Sequence, residues 1–111
     1  MTRYEPGDVL LLVFPFTGEA GKKQRPAVVI LDAGDADVVV ARITTQPRST
    51  HCDVAVAQWR EAGLLAPSTI RLHKLATLDK SLVTPRLGRL RGLDREASWQ
   101  AFRRVYCQPA A

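Results

Sequence analysis

Two short stretches of the chain carry residues suited to chemistry on a phosphate. In residues 68–75 (STIRLHKL), strand alternation puts Arg71 and His73 on one face and Ile70 and Leu72 on the other. A guanidinium offers a planar fork of donors that fits phosphate, and an imidazole titrates close enough to neutrality to move a proton there. A histidine held by a structural hydrogen bond satisfies the same pattern equally well. Arg25 follows residues 17–24 (TGEAGKKQ), which contain two glycines, Lys22, Lys23 and no large apolar group. Such a segment reads as a hairpin loop with a basic tip. A guanidinium is a delocalised cation with donors and no acceptor, which points Arg25 to charge stabilisation rather than to a general-base role. Taken alone, Arg25 is also an ordinary exposed strand-end arginine.

Other motifs fail on spacing. Gly18, Gly21 and Lys22 lack the four-residue gap of a phosphate-binding Walker loop, and no Ser or Thr follows the lysine. His51 and Cys52 are adjacent, while His73 and Cys107 stand apart, so no metal-ligand spacing arises and neither a metal nor another cofactor is expected. Ser68 and Ser81 lack the glycine-flanked elbow of a hydrolase nucleophile. Two cysteines without paired spacing give no disulfide framework, which makes a reducing cytoplasm the expected location. The first residues show no secretory pattern, and no apolar run approaches the ~20 residues of a spanning helix. Neither export nor a membrane partner is expected.

The elements that must position these residues follow from the apolar runs. With 111 residues, 46% of them hydrophobic, the chain has the length and composition of a single domain over residues 1–111. Strands are expected at residues 7–16 (GDVLLLVFPF), 25–31 (RPAVVIL), 38–46 (VVVARITTQ), 52–57 (CDVAVA) and 68–75, and a weaker one at 82–90 around Pro85. Residues 58–67 have room for one helical turn around Trp59 and Arg60, ended by Gly63. Asp94 is the expected N-cap of a closing helix whose Trp99, Phe102 and Tyr106 share a face and are expected in the core. The fold class is therefore mostly β (α+β) with a C-terminal α-helix. The first three strands are apolar on both faces, a pattern that a barrel plus a subunit interface would cover. Charge is uneven: residues 1–66 hold seven basic and eight acidic side chains, residues 67–111 nine and three, and the net +5 suits a polyanionic or acidic partner.

Five stretches in this order resemble the MazF/PemK family of toxin–antitoxin endoribonucleases: residues 7–9 (GDV), 25–30 (RPAVVI), 43–46 (ITTQ), 68–79 (STIRLHKLATLD) and 83–93 (VTPRLGRLRGL). The resemblance runs from about residue 7 to residue 106. It implies an SH3-like small β-barrel, a homodimer, and sequence-selective cleavage of single-stranded RNA without metal, leaving a 2′,3′-cyclic phosphate and a 5′-hydroxyl. It also implies a small acidic antitoxin as cognate partner, in a complex that binds DNA.

The resemblance assigns roles residue by residue. Arg25 matches the family's catalytic arginine and Thr44 its catalytic threonine, whose hydroxyl can donate to a non-bridging phosphate oxygen. Thr45 alternates to the opposite face. Gln46 offers an amide to a nucleotide and is also a common strand-end residue. Arg71 matches an arginine of the PemK branch, whereas His73 stands where many relatives carry an acid, so that His73 becomes the expected proton-transfer group beside Arg71. Glu19 lies where some relatives have a functional glutamate, with the loop spacing changed by one residue. Lys22 and Lys23 are suited to contacts with the RNA backbone, which position a strand without specifying its sequence. The same barrel also serves non-catalytic binding and gyrase inhibition in other proteins, and a member without turnover is a further alternative.

Overall fold

The computed structural model describes residues 2–14 and 23–108. Its strands are β1 (Asp8–Phe14), β2 (Lys23–Leu31), β3 (Asp37–Thr44), β4 (Asp53–Ala55), β5 (Thr69–Asp79) and β6 (Val83–Arg89), followed by the helix α1 (Gly92–Tyr106). They form one antiparallel sheet in the order β4-β5-β3-β2-β1-β6. Lys23 pairs with Phe14 and Arg25 with Leu12, so β2 starts two residues earlier than its apolar run, and Lys23 belongs to the strand rather than to a loop. Pro15, Glu19 and Lys22 lie outside the described residues.

The apolar alternation of β1 to β3 feeds two clusters, one on each face of the sheet. Val9, Val28, Ala41 and Ile43 pack with Ile70, Leu72, Leu90 and Ala101. Leu10, Leu12, Phe14, Ala27, Val29, Val38, Val40 and Leu78 make the second cluster. Both faces of these strands thus pack against other parts of the same chain.

The sheet curls like a barrel, but among the described residues its edge strands β4 and β6 do not pair. The segment after β4 spans the gap. Its one helical turn is made by Ala62 N–H to Gln58 O at 3.2 Å and Leu64 N–H to Trp59 O at 2.9 Å, and Gly63 ends it with φ +91°. A Cβ on Gly63 would lie 2.2 Å from the Leu87 carbonyl oxygen of β6, so glycine permits both the backbone angle and the approach that links the two edges.

Two proline and cap positions follow from the same ladder. Pro85 sits on edge strand β6, where Thr84 and Pro85 together oppose Leu11 in a bulge. The Thr84 hydroxyl donates to Leu11 O at 3.1 Å. Asp94 is not an N-cap: Arg91 holds that position without a side-chain bond, and Asp94 is the third residue of α1. Its carboxylate instead accepts from Ala57 N–H at 2.9 Å and Gln58 N–H at 2.8 Å, satisfying the first amides of the neighbouring helical turn. The expected aromatic core face is only partly buried. Phe102 packs on the core, but Trp99 is 55% and Tyr106 44% exposed.

Candidate active site

One face of β2 and β3 changes from apolar to cationic along its length. On β3 the residues Val38 and Val40 are buried, and the next two on that face are Arg42 and Thr44. On β2 the buried Val29 and Ala27 are followed by Arg25. Alternation thus delivers Arg25, Arg42 and Thr44 to one end of the face.

The third strand reaches the same place through a break in register. Ala41 pairs with Leu75, yet Arg42 pairs with Arg71, which leaves Leu72, His73 and Lys74 as a three-residue bulge in β5. An odd number of extra residues reverses which side chains face the site. Arg71 and Lys74 therefore share it, and His73 does not. The bulge is held at Leu72, whose N–H donates to Cys52 O at 2.9 Å and whose carbonyl accepts from the Tyr106 hydroxyl of α1.

The result is a depression of about 190 Å³ lined by Arg25, Arg42, Ile43, Thr44, Gln46, Arg48, Arg71 and Lys74. Five of these side chains are cationic and none is acidic. Of the residues expected from sequence, Arg25, Thr44, Gln46 and Arg71 come together here. His73 is exposed on the bulge outside the lining, Thr45 lies in the bend after β3 and does not line the depression, and Lys23 lies away from it. Arg42, Arg48 and Lys74 were not anticipated. Alternation from Thr44 would have found Arg42, but Lys74 depends on a bulge that carries no glycine or proline signal.

Hydrogen bonds orient several of these groups. Thr44 Oγ1 accepts from Gln46 N–H at 3.1 Å, which leaves the hydroxyl proton free to be donated to a ligand. Arg48 donates from Nη2 to Gln46 Oε1 at 2.9 Å. The Arg42 guanidinium carbon sits 5.5 Å from the centre of the Phe14 ring. The Arg25 side chain makes no hydrogen bond or ion pair with another described residue, and a guanidinium carries five donors suited to an anion.

Among the described residues, Arg71 is the one lining cation with a carboxylate partner. Its Nε donates to Asp53 Oδ1 of β4 at 2.9 Å, and the Asp53 side chain is 1% exposed. Burial pushes the Asp53 carboxyl up, but hydrogen bonds from the Thr50 hydroxyl, Arg71 and the Thr50 amide outweigh it and hold the pKa below the ordinary value. The His73 imidazole is pushed down by burial first and then by the charges of Arg71 and Lys74, with Asp53 opposing. A phosphate in this depression would meet donors from three strands, and the His73 imidazole stands on the adjoining bulge.

The sequence and the fold both have counterparts among known proteins. The family profile described as PemK-like, MazF-like toxin of type II toxin–antitoxin system matches residues 5–105. No curated protein matches the chain in sequence. In fold it is similar to an endoribonuclease solved with its cognate antitoxin from a mycobacterial species, with a TM-score of 0.79, 18% identity, and coverage of 98% of this chain and 100% of that one. The Mycobacterium tuberculosis toxin MazF-mt6 gives a TM-score of 0.76 at 20% identity, covering 93% of this chain and 99% of that one. MazE-MazF from Deinococcus radiodurans gives 0.74 at 16% identity, covering 96% and 97%. The profile spans nearly the whole sequence, and the chain therefore belongs to the PemK-like, MazF-like toxin family of type II toxin–antitoxin systems.

Proposed function

We propose that this chain is a toxin that acts as a sequence-selective endoribonuclease on single-stranded RNA, without a metal ion, through the depression between β2, β3 and β5. The observation that carries the reading is the set of five cations, one oriented hydroxyl and one amide around a depression of about 190 Å³ with no acid in its lining. In metal-free cleavage the ribose 2′-hydroxyl attacks the adjacent phosphorus and the 5′-oxygen of the next nucleotide leaves. The products are a 2′,3′-cyclic phosphate and a 5′-hydroxyl. One group must take the 2′-hydroxyl proton, one must return a proton to the leaving oxygen, and donors must hold the charge that grows on the non-bridging oxygens.

Arg25 and the Thr44 hydroxyl are the donors to those oxygens, and Arg71 steadies the same phosphate with its two terminal amino groups. His73 is the proposed acceptor of the 2′-hydroxyl proton; it stands on the exposed bulge outside the lining, so it serves a strand that runs over the bulge, and its pKa is lowered. Gln46 and Arg48, joined to each other, hold a flanking nucleotide, and Arg42 and Lys74 attract the backbone on either side. Bases of a single strand are open to stacking and to hydrogen bonds on their edges, which is where sequence selection arises.

The proposed partner is a small acidic antitoxin, as in the mycobacterial relative solved with its own antitoxin. The exposed Arg91, Arg95, Arg103 and Arg104 of the C-terminal segment supply complementary charge. A second copy of the chain is the proposed occupant of the apolar depression lined by Val28, Ile30, Leu90, Trp99 and Phe102. The setting is the cytoplasm, with the toxin–antitoxin complex binding DNA.

Incubation of purified protein with a long unstructured RNA in EDTA tests the activity. Discrete fragments that share a short sequence at their ends are expected. RNA that stays intact, together with inhibition of gyrase in a supercoiling assay, would replace this reading with the protein-target one.

A further inference from the structure

Arg71 cannot be aimed by its own strand. It stands at the edge of the β5 bulge, where the ladder to β3 breaks between Ala41 and Arg42, and the residue two positions on is a histidine rather than an acid. The restraint comes from β4. Asp53 pairs in register with Arg71, and its Oδ1 takes the Nε–H at 2.9 Å from a position that is 1% exposed. Its other oxygen, Oδ2, accepts from Thr50 N–H at 2.9 Å and from the Thr50 hydroxyl at 2.8 Å. Thr50 Oγ1 in turn accepts from Cys52 N–H at 3.2 Å, so the carboxylate is braced from behind by the turn that leads into β4.

We propose that Asp53, braced by Thr50, is a positioning residue that aims the Arg71 guanidinium into the phosphate depression. Two features separate this from a plain structural ion pair. The bond is made through Nε alone, which restrains the plane of the guanidinium and leaves both terminal amino groups unbonded to Asp53 and available to a ligand. The carboxylate also stays outside the lining of the depression, so it restrains Arg71 without itself contacting the phosphate. Misplacing a donor by about 1 Å costs roughly a hundredfold in rate, which is the scale of the effect expected from losing the brace.

The inference rests on the nuclease reading, and the experiment keeps the two apart. Single-turnover cleavage, and binding of an RNA with a 2′-deoxyribose at the cleaved position, are measured for wild type, Asp53→Asn, Arg71→Ala and the double variant. Asp53→Asn is expected to lower the cleavage rate about a hundredfold. It should not weaken binding of the uncleavable RNA, because it removes a negative charge from the neighbourhood of a polyanion. In the Arg71→Ala background it should add little, since Asp53 then has nothing to aim. Thr50→Val, which keeps the carboxylate but removes one tether, should repeat the pattern at smaller size and serves in place of Asp53→Asn should that variant not fold. An active wild type whose Asp53→Asn form cleaves normally, loses binding in parallel, or loses the same factor without Arg71 overturns the role of Asp53. A wild type that cleaves nothing overturns the nuclease reading instead.

Discussion

Arg42 of β3 stands directly opposite Arg71 of β5 although its neighbour Ala41 stands opposite Leu75. Like charges facing each other across a ladder are destabilising, and this pair persists with Asp53 bonded to the far side of Arg71. The three residues that the register break leaves over decide which side chains of β5 serve the site.

Lys74 should therefore matter for RNA binding in a way that His73 does not. Lys74→Ala is expected to weaken binding of every single-stranded RNA alike and to reduce the slope of log affinity against log salt by about 0.7, the value of one lost phosphate contact. His73→Ala should leave that slope unchanged. A titration of both variants over a range of salt concentrations checks the orientation that the bulge imposes.

The role of His73 is visible in pH instead. Its pKa is lowered, by burial first and by Arg71 and Lys74 next, with His51 adding to the fall and Asp53 opposing it. With His73 as the base, kcat/KM should rise with pH through a midpoint below the ordinary histidine value of about 6.5. His73→Ala should lower the rate and flatten that rise between roughly pH 5 and 8. An unchanged profile would assign His73 to structure.

Asp94 is expected to be worth more than an ordinary surface carboxylate. It is 3% exposed and carries the amides of Ala57 and Gln58. Asp94→Ala leaves both donors without their partner and should destabilise the fold by about 1–3 kcal/mol, read from chemical denaturation. Cleavage per folded molecule should be unaffected at low temperature.

Acid sensitivity has a named source in Asp32. Hydrogen bonds from the Tyr4 amide, Lys80 and the Gly34 amide lower its pKa to about 2. The folded value lies below the ~3.9 of an unfolded aspartate, so its stabilisation is complete above that pH and is lost as pH falls towards 2. Melting temperatures measured between pH 5 and 2 should fall more steeply for wild type than for Asp32→Asn. Parallel curves would place the acid sensitivity elsewhere.

Much of this architecture was legible in the sequence because apolar runs record burial. The first three strands, the helical turn ended by Gly63 and the closing helix all follow from that pattern, and the matching motifs carried Arg25, Thr44 and Arg71 to a common site. What escaped is what strand period cannot encode. Counting by twos along β5 groups Arg71 with His73, but the bulge exchanges His73 for Lys74. Asp94 has the sequence signature of a cap and does satisfy helix amides, but those of another segment 36 and 37 residues earlier in the chain. Asp53 sits in an alternating strand as an unremarkable polar residue, and its bond to Arg71 exists only once β4 and β5 are paired.

In the proposed reaction, the depression between β2, β3 and β5 cleaves RNA with donors from Arg25 and Thr44. The most direct measurement is the single-turnover rate on one defined RNA in EDTA for wild type, Arg25→Ala and Thr44→Ala, with the ends of the products identified. Each variant is expected to lose roughly a hundred- to a thousandfold in rate while remaining folded, and the wild-type products should end in a 2′,3′-cyclic phosphate. Cleavage that survives both substitutions together would contradict the account.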